Sequence, residues 1–244
     1  MSDFVVAYTL SDKGNMVNDI LVSLKSLSRF VDRRNIVVFY TPPMTRDTMG
    51  QLFEYAKVIT CDNISKPFVF QERRGPSGYG EKLHICDLES ENVFFLDCDT
   101  VIKKDLGKLL EGDYDFAARA VSMLDFNLKT WYYLFQKYEK DPVSMYNTGF
   151  LIFKNWTHNK IKEDWTYYMN EDLPQAHPTS YHKDQYSLAL ALSGLNIKQL
   201  TKREHAFRWR NEENIDSYVL HGSKTPLKYV RLMLRNSPLR RLRG

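Results

Sequence analysis

Long apolar runs are missing from this chain. Stretches such as Val93–Leu96 and Ile36–Tyr40 fall far short of the roughly 20 residues that a membrane-spanning helix requires. Glycine and proline are scarce, with 11 and 9 among 244 residues, which excludes collagen-like repeats and linker-rich disorder. The three cysteines, Cys61, Cys86 and Cys98, cannot all pair within one chain, and Met1-Ser2-Asp3 lacks the basic-then-apolar pattern of a signal peptide. Both features predict a reducing, cytosolic setting in which the Asn-x-Ser/Thr patterns at Asn63 and Asn155 go unused. Acidic residues stop at Asp216, yet Lys224, Lys228, Arg231, Arg235, Arg240, Arg241 and Arg243 follow. Seven positive charges against a total of +4 leave the rest of the chain slightly acidic, so a nucleic-acid-binding domain with basic residues spread through it is not expected.

What is present is a core. With 43% hydrophobic and 14% aromatic residues, the chain can bury one large domain, and no repeat or linker interrupts it before residue 222. Phe4–Tyr8, Ile36–Tyr40, Lys57–Thr60 and Val93–Leu96 read as buried strands, and Val17, Ile20, Leu21, Leu24, Leu27 and Val31 recur at helical spacing. Helices are expected over 45–56, 82–88, 158–170 and 184–193, and further strands over 115–121, 148–153 and Ser217–Leu220. Apolar runs without alternation, separated by helices, point to parallel strands covered on both faces.

The strongest chemical signal is Phe94-Phe-Leu-Asp97-Cys98-Asp99. Ligands of an α/β sheet collect beyond the carboxyl ends of its strands, where this apolar run gives way to acids. In extended chain Asp97 and Asp99 would project to one side and Cys98 to the other, so the two carboxylates could share a cation. An oxygen pair of this kind suits Mg²⁺ or Mn²⁺ beside a phosphate. By contrast, Gly75–Gly80 is not a phosphate-binding P-loop, because Glu81 and Lys82 stand where Lys and Ser/Thr are needed. That stretch reads instead as a loop that could close over a ligand. Cysteine and histidine spacings offer no zinc site and no nucleophile triad.

These residues resemble the metal-binding Asp-x-Asp element of the GT-A-fold, nucleotide-sugar-dependent glycosyltransferases, and in particular the retaining group that includes glycogenin and bacterial lipooligosaccharide galactosyltransferases. Ala7-Tyr8-Thr9, with a helix ending Ser23-Leu-Lys-Ser-Leu27, is similar to the family's uridine-binding start, and Lys82 stands where the family has a basic residue facing the donor. Tyr146-Asn147-Thr148-Gly149-Phe150 is similar to its Phe-Asn-x-Gly signature beside the donor sugar. Asp184-Gln185 resembles its pair near the anomeric carbon. His221-Gly222-Ser-Lys224-Thr-Pro226 resembles its His-x-x-Gly-x-x-Lys-Pro region, where the histidine is the third metal ligand and the lysine and backbone hold the diphosphate. The resemblance spans residues 7–226. It implies a Rossmann-like GT-A α/β fold with a mixed, mainly parallel sheet flanked by helices, and a catalytic domain over 1–222 followed by a tail over 223–244. It also implies Mn²⁺ or Mg²⁺ on Asp97, Asp99 and His221, donor contacts from Ala7, Tyr8, Thr9, Lys82, Asp97, Cys98, Gly222 and Lys224, and catalytic roles for Asn147, Asp184 and Gln185. The implied activity is hexosyl transfer from a UDP-sugar to a glycan, lipid-linked or protein acceptor. The family's acidic residue that holds donor-sugar hydroxyls has no counterpart around Arg119–Ser122, where Asp125 is the nearest substitute.

Duller roles stand beside these. Asn147 could cap a turn with Gly149 supplying an unusual backbone angle, Lys82 could be solvated, Asp184 and Gln185 could be a helix N-cap pair, and His221 could be an ordinary surface or core histidine. In the tail, a helix between Pro226 and Pro238 would place Lys224, Lys228, Arg231 and Arg235 on one face and Leu227, Val230, Met233 and Leu234 opposite, with Leu232 misplaced. Such a helix suits an anionic membrane surface at the cytosolic face, or could pack on the domain with its basic side solvated. The rival functions are a nucleotidyltransferase, for which the chain lacks a glycine-rich basic first loop, and a non-catalytic peripheral membrane protein.

Overall fold

The computed structural model describes residues 4–11, 16–42, 45–62, 64, 69–70, 73–74, 80–177, 182–207, 216–222 and 226–230. The first half alternates as its apolar pattern demands: β1 (Phe4–Ser11), α1 (Met16–Leu27), β2 (Ile36–Thr41), α2 (Arg46–Phe53) and β3 (Lys57–Thr60). A two-residue hairpin, β4 (Val69–Phe70) with β5 (Arg73–Arg74), precedes a 3₁₀ segment at Gly80–Asp87 that replaces the α-helix expected from residue 82. Next come β6 (Asn92–Leu96), β7 (Thr100–Ile102), β8 (Phe116–Ala120), α3 (Leu128–Lys137) and β9 (Tyr146–Phe153). The helix expected over 158–170 is broken at Ile161 into α4 (Thr157–Lys160) and α5 (Lys162–Asn170). The Asn159 amide donates to the Cys86 carbonyl, tying α4 down to the 3₁₀ segment. The described chain closes with α6 (Lys183–Ala191), β10 (Ile197–Gln199), β11 (His205–Phe207), β12 (Val219–His221) and a helical turn at 226–230. No described helix is long and apolar enough to cross a membrane.

Seven strands form one sheet in the order β10-β8-β9-β6-β1-β2-β3, in which β9 alone runs antiparallel to its neighbours. Alternating side chains serve two cores. Val93 and Phe95 of β6 join Phe39, Leu151 and Phe153 under α3, α5 and α6, while Phe94 and Leu96 join Tyr8, Val38 and Ile152 under α1 and α2. Every residue of β6 from Val93 to Leu96 is fully buried, which is why the run shows no period-2 alternation in the sequence. Each such side chain contributes about 1.5–3 kcal/mol by leaving water.

A second sheet, β11-β12-β7, packs beside the end of α1. It hangs on hydroxyls. The Ser26 hydroxyl accepts from the Ile102 backbone N–H at 2.8 Å, and a chain of short bonds links Tyr8, Ser23 and Thr100 to the Asp97 carbonyl. Because Thr100 spends its proton on that carbonyl, the chain runs in one direction, from the Tyr8 phenol toward Asp97.

Candidate functional site

The reversed direction of β9 decides which residues meet. Its first residues lie beside the last residues of β6, with Phe150 opposite Leu96, and the Asp97 N–H donates to the Gly149 carbonyl at 2.9 Å. Tyr146–Gly149 and Asp97–Asp99 therefore share one end of the sheet although they are some fifty residues apart in the chain. Beyond Leu96 the chain turns rather than continuing extended, so the strand alternation expected for the acids does not hold. The turn nonetheless brings both carboxylates to the imidazole of His221, whose Nε2 lies 3.6 Å from Asp97 Oδ2 and 3.3 Å from Asp99 Oδ1. Donor atoms of the three residues lie within 4.8 Å of one another. Cys98 points away, buried, with its thiol on the Thr9 carbonyl. Burial, then the neighbouring Asp97 and Asp99, hold that thiol well above the ordinary cysteine range.

Gly149 makes room for this. A Cβ on it would stand 1.9 Å from Cε1 and 2.3 Å from Nε2 of His221. The glycine is thus required by close approach of an imidazole and not by an unusual backbone angle. Asn147 accepts from the Gly149 N–H at 3.0 Å, holding that bend. Gly222, at φ 134°, follows His221 and donates its N–H to the Asp99 carbonyl, closing the turn from the other side.

A second ionic cluster lies behind the first. Lys82 is buried, with Nζ 3.0 Å from Asp184 Oδ2, 3.3 Å from Asp97 Oδ1 and 3.1 Å from the Thr148 hydroxyl, which itself donates to Asp184 Oδ2. A solvated role for Lys82 is therefore excluded. So is an N-cap role for Asp184, since the cap position is His182 and the carboxylate is engaged elsewhere. Burial opposes charge on Lys82, but Asp97 and Asp184 outweigh it and raise its pKa above the lysine range. Burial likewise opposes ionisation of Asp184, yet Lys82 and the Thr148 bond hold it below the usual carboxylate range. On Asp97 burial prevails over Lys82 and His221, and its pKa rises. Asp99 is held down against burial by its hydrogen bond with His221.

Next to this cluster a cavity of about 210 Å³ is lined by Asn147, Gln185, Asp125, Ser122, His177 and His182 among others. The buried Gln185 Oε1 has no hydrogen-bond partner among the described residues. Asp125, the substitute acid singled out in the sequence, does face this space. The first-strand candidates fare differently. Ala7 and Tyr8 are wholly buried, with the Tyr8 hydroxyl on Ser23, and Thr9 is nearly so. Lys224 and the loop at 75–79 lie outside the described residues.

Sequence reasoning did not single out Thr148 as the bridge between Lys82 and Asp184, nor His205, whose Nε2 lies 3.2 Å from Nδ1 of His221. A lone threonine inside a strand signature and a histidine in a three-residue strand carry no local pattern.

The fold is shared with solved glycosyltransferases. The bifunctional glycosyltransferase WbbM superposes with a TM-score of 0.62 at 15% identity over 91% of this chain, which spans only 46% of WbbM. The galactosyltransferase LgtC, solved with donor and acceptor sugar analogues, gives 0.60 at 14% identity over 89% of this chain and 86% of its own. Mouse xyloside xylosyltransferase 1 gives 0.54 at 14% identity over 91% and 98%. A sequence comparison with curated proteins finds no significant match. The sequence model of glycosyl transferase family 8 matches residues 81–217, more than half the chain, and takes in Lys82, Asp97, Asp99, Asn147, Asp184 and His205. The chain belongs to glycosyl transferase family 8 and is a glycosyltransferase of the GT-A fold.

Proposed function

We propose that this protein transfers a hexose from a UDP-sugar to a glycan, lipid-linked or protein acceptor, with a divalent ion and with retention of configuration. The observation that carries the reading is the convergence of Asp97, Asp99 and His221 within 4.8 Å at the carboxyl end of β6, beside a polar cavity. Two carboxylates and an imidazole suit Mn²⁺ or Mg²⁺, and Gly149 leaves the ring the space it needs. An ion held there supplies Lewis-acid stabilisation of the departing diphosphate.

The protein's own groups do the remainder. Lys82 compensates the buried Asp184, which stays ionised without substrate, and offsets part of what burial costs Asp97. Gln185 Oε1 and Asp125 offer acceptors to sugar hydroxyls in the cavity, and Asn147 orients the strand start beside it. Transfer at an anomeric carbon passes through an oxocarbenium-like state. Asp184 Oδ2 is already committed to an ammonium and a hydroxyl, which makes that oxygen a weak nucleophile. This favours a same-face reaction in which Asp184 stabilises developing positive charge rather than forming a covalent bond. Incubating the protein with a panel of UDP-hexoses and Mn²⁺ should release UDP, and EDTA should stop it. UDP release that survives EDTA would remove the metal-dependent reading.

The domain over 1–222 works on this account at the cytosolic face of an anionic membrane, held by the tail. At 226–230 the helical turn leaves Leu227 and Val230 exposed while Tyr229 receives a hydrogen bond from Lys103 at 3.0 Å, so an apolar side remains for a lipid surface. The tail beyond residue 230 lies outside the described residues. Removing 227–244 should abolish sedimentation with phosphatidylserine vesicles and spare UDP release to soluble acceptors. Unchanged sedimentation would rule the tail out.

A further inference from the structure

The imidazole of His221 is presented to Asp97 and Asp99 through Nε2, which leaves Nδ1 to be accounted for. A ring held at one nitrogen alone can rotate. Nδ1 faces Nε2 of His205 at 3.2 Å, with ring centroids 5.3 Å apart and planes 22° from parallel. His205 is itself wholly buried on β11, one strand over from His221 on β12. It is fixed from two further sides. The ring of Phe150, one residue past Gly149, meets it edge-on at 5.4 Å, and its carbonyl accepts from the Arg119 guanidinium at 2.9 Å. The remaining ring nitrogen of His205, Nδ1, has no partner among the described residues. The ring's one hydrogen bond there is the bond to His221. Each neutral ring carries a single N–H, and for His221 Nε2 to face a cation with its lone pair the His221 N–H must stand on Nδ1, where it donates to Nε2 of His205.

We propose that His205 is a positioning residue for the metal site: its Nε2 holds Nδ1 of His221 and so fixes the plane in which His221 Nε2 faces the two carboxylates. This rests on the reading of Asp97, Asp99 and His221 as a divalent-ion site. The ring also packs against Gly149 and lies 6.3 Å from the Phe207 ring, but neither contact offers Nδ1 a hydrogen-bonding partner. Metal-binding histidines commonly have the second nitrogen held by a carboxylate or carbonyl, and losing such a partner lowers affinity about 10- to 100-fold. Here the partner is a second imidazole.

The test compares the wild type with His205→Leu, which keeps the volume and loses the bond, and with His205→Gln, whose side-chain amide reaches the same place. Mn²⁺ affinity is read without nucleotide, by electron paramagnetic resonance of the free ion, alongside melting temperature and the imidazole N–H signals in proton–nitrogen NMR of the metal-free protein. His205→Leu is expected to weaken Mn²⁺ binding about 10- to 100-fold and to remove the N–H signal shared by the two rings, while His205→Gln stays within a few-fold of wild type. Equal affinity in the leucine variant, or equal loss in both variants with matched melting temperatures, would overturn the proposal. If the wild type binds no Mn²⁺, the functional reading fails on its own. The NMR arm then decides about His205: a His221 signal that moves in the leucine variant and not in the glutamine variant upholds the positioning contact, and one that moves in neither refutes it.

Discussion

The two sheets of this protein contribute to the same site by opposite means. The central strands of the seven-stranded sheet are apolar, buried on both faces and paired over long registers, and they deliver Asp97 and Asp99 at the end of a strand with no polar residue of its own between Val93 and Leu96. The three-stranded sheet is built from strands of three residues, is anchored by serine and threonine hydroxyls, and delivers His221. The large sheet thus fixes position through buried area, and the small one, though its short strands are buried too, adds directed hydrogen bonds to side-chain hydroxyls. The proposed metal site, which spans the two, is sensitive to changes that would be mild in either.

Removing the large sheet's contribution should have the greatest effect. Asp99→Asn is expected to lower UDP release by about three orders of magnitude, since one charge of the proposed ligand set is lost and the contact with His221 is no longer charge-assisted. Its melting temperature should stay close to wild type, because the side chain is only partly enclosed. Full activity in this variant would remove the site assignment. Next comes the seam between the sheets. In Gly149→Ala the new methyl would occupy the His221 ring, so Mn²⁺ affinity should fall about 100-fold, as in His221→Ala, and combining the two should add little. Independent, additive losses would separate the glycine from the histidine.

The ionic cluster behind the acids is tested by Lys82→Met. It strands the buried carboxylate of Asp184 and removes the counter-ion of the partly exposed Asp97, with an expected loss of about 3–5 kcal/mol, or about 6–20 °C of melting temperature. The sign of the pH dependence follows from the shift. A lysine whose pKa is raised on folding contributes stability that is complete below the unfolded value near 10.4 and is lost as pH rises through the folded one. Wild type should therefore lose stability at strongly alkaline pH by a component that the methionine variant lacks. The smallest expected effect is in the small sheet's anchor. Ser26→Ala leaves the Ile102 N–H without its acceptor and should cost about 1 kcal/mol, a shift of a few degrees by calorimetry, with Mn²⁺ affinity changed only a few-fold.

The same contrast explains what could be read from the chain alone. β2, β3 and β6 were legible nearly to the residue, while β1 runs three residues beyond its expected end and α1 stops four residues short of Val31; for β1, β2 and β6 burial on both faces writes continuous apolar runs, and the helix packed on them writes a 3.6-residue period. β7, β10 and β11 were not, since three residues carry no period and their partners lie far along the chain. α3 escaped notice because Leu128, Tyr132 and Tyr133 are exposed and blur its apolar face. The apolar run ending in acids supplied Asp97 and Asp99, the resemblance supplied His221, Lys82 and Asp184, and the structure brings the five together. Lys82 became a buried counter-ion rather than a surface lysine because β9 runs backwards and folds Thr148 over it. Gly149 was noticed for its backbone freedom, whereas its role is to have no side chain where an imidazole must pass. A pairwise close approach of this kind leaves no trace in local sequence.

The central claim is that these two sheets together form a divalent-ion and nucleotide site, and a melting-temperature titration with UDP, GDP and ATP, each with and without Mn²⁺, tests it most directly. A ligand that binds the native state alone raises the melting temperature by about 2.7 kcal/mol of added stability at 100 times its dissociation constant. The expected result is a rise that needs UDP and Mn²⁺ together and disappears in Asp99→Asn. A rise with ATP alone, or none with any pair, would contradict it.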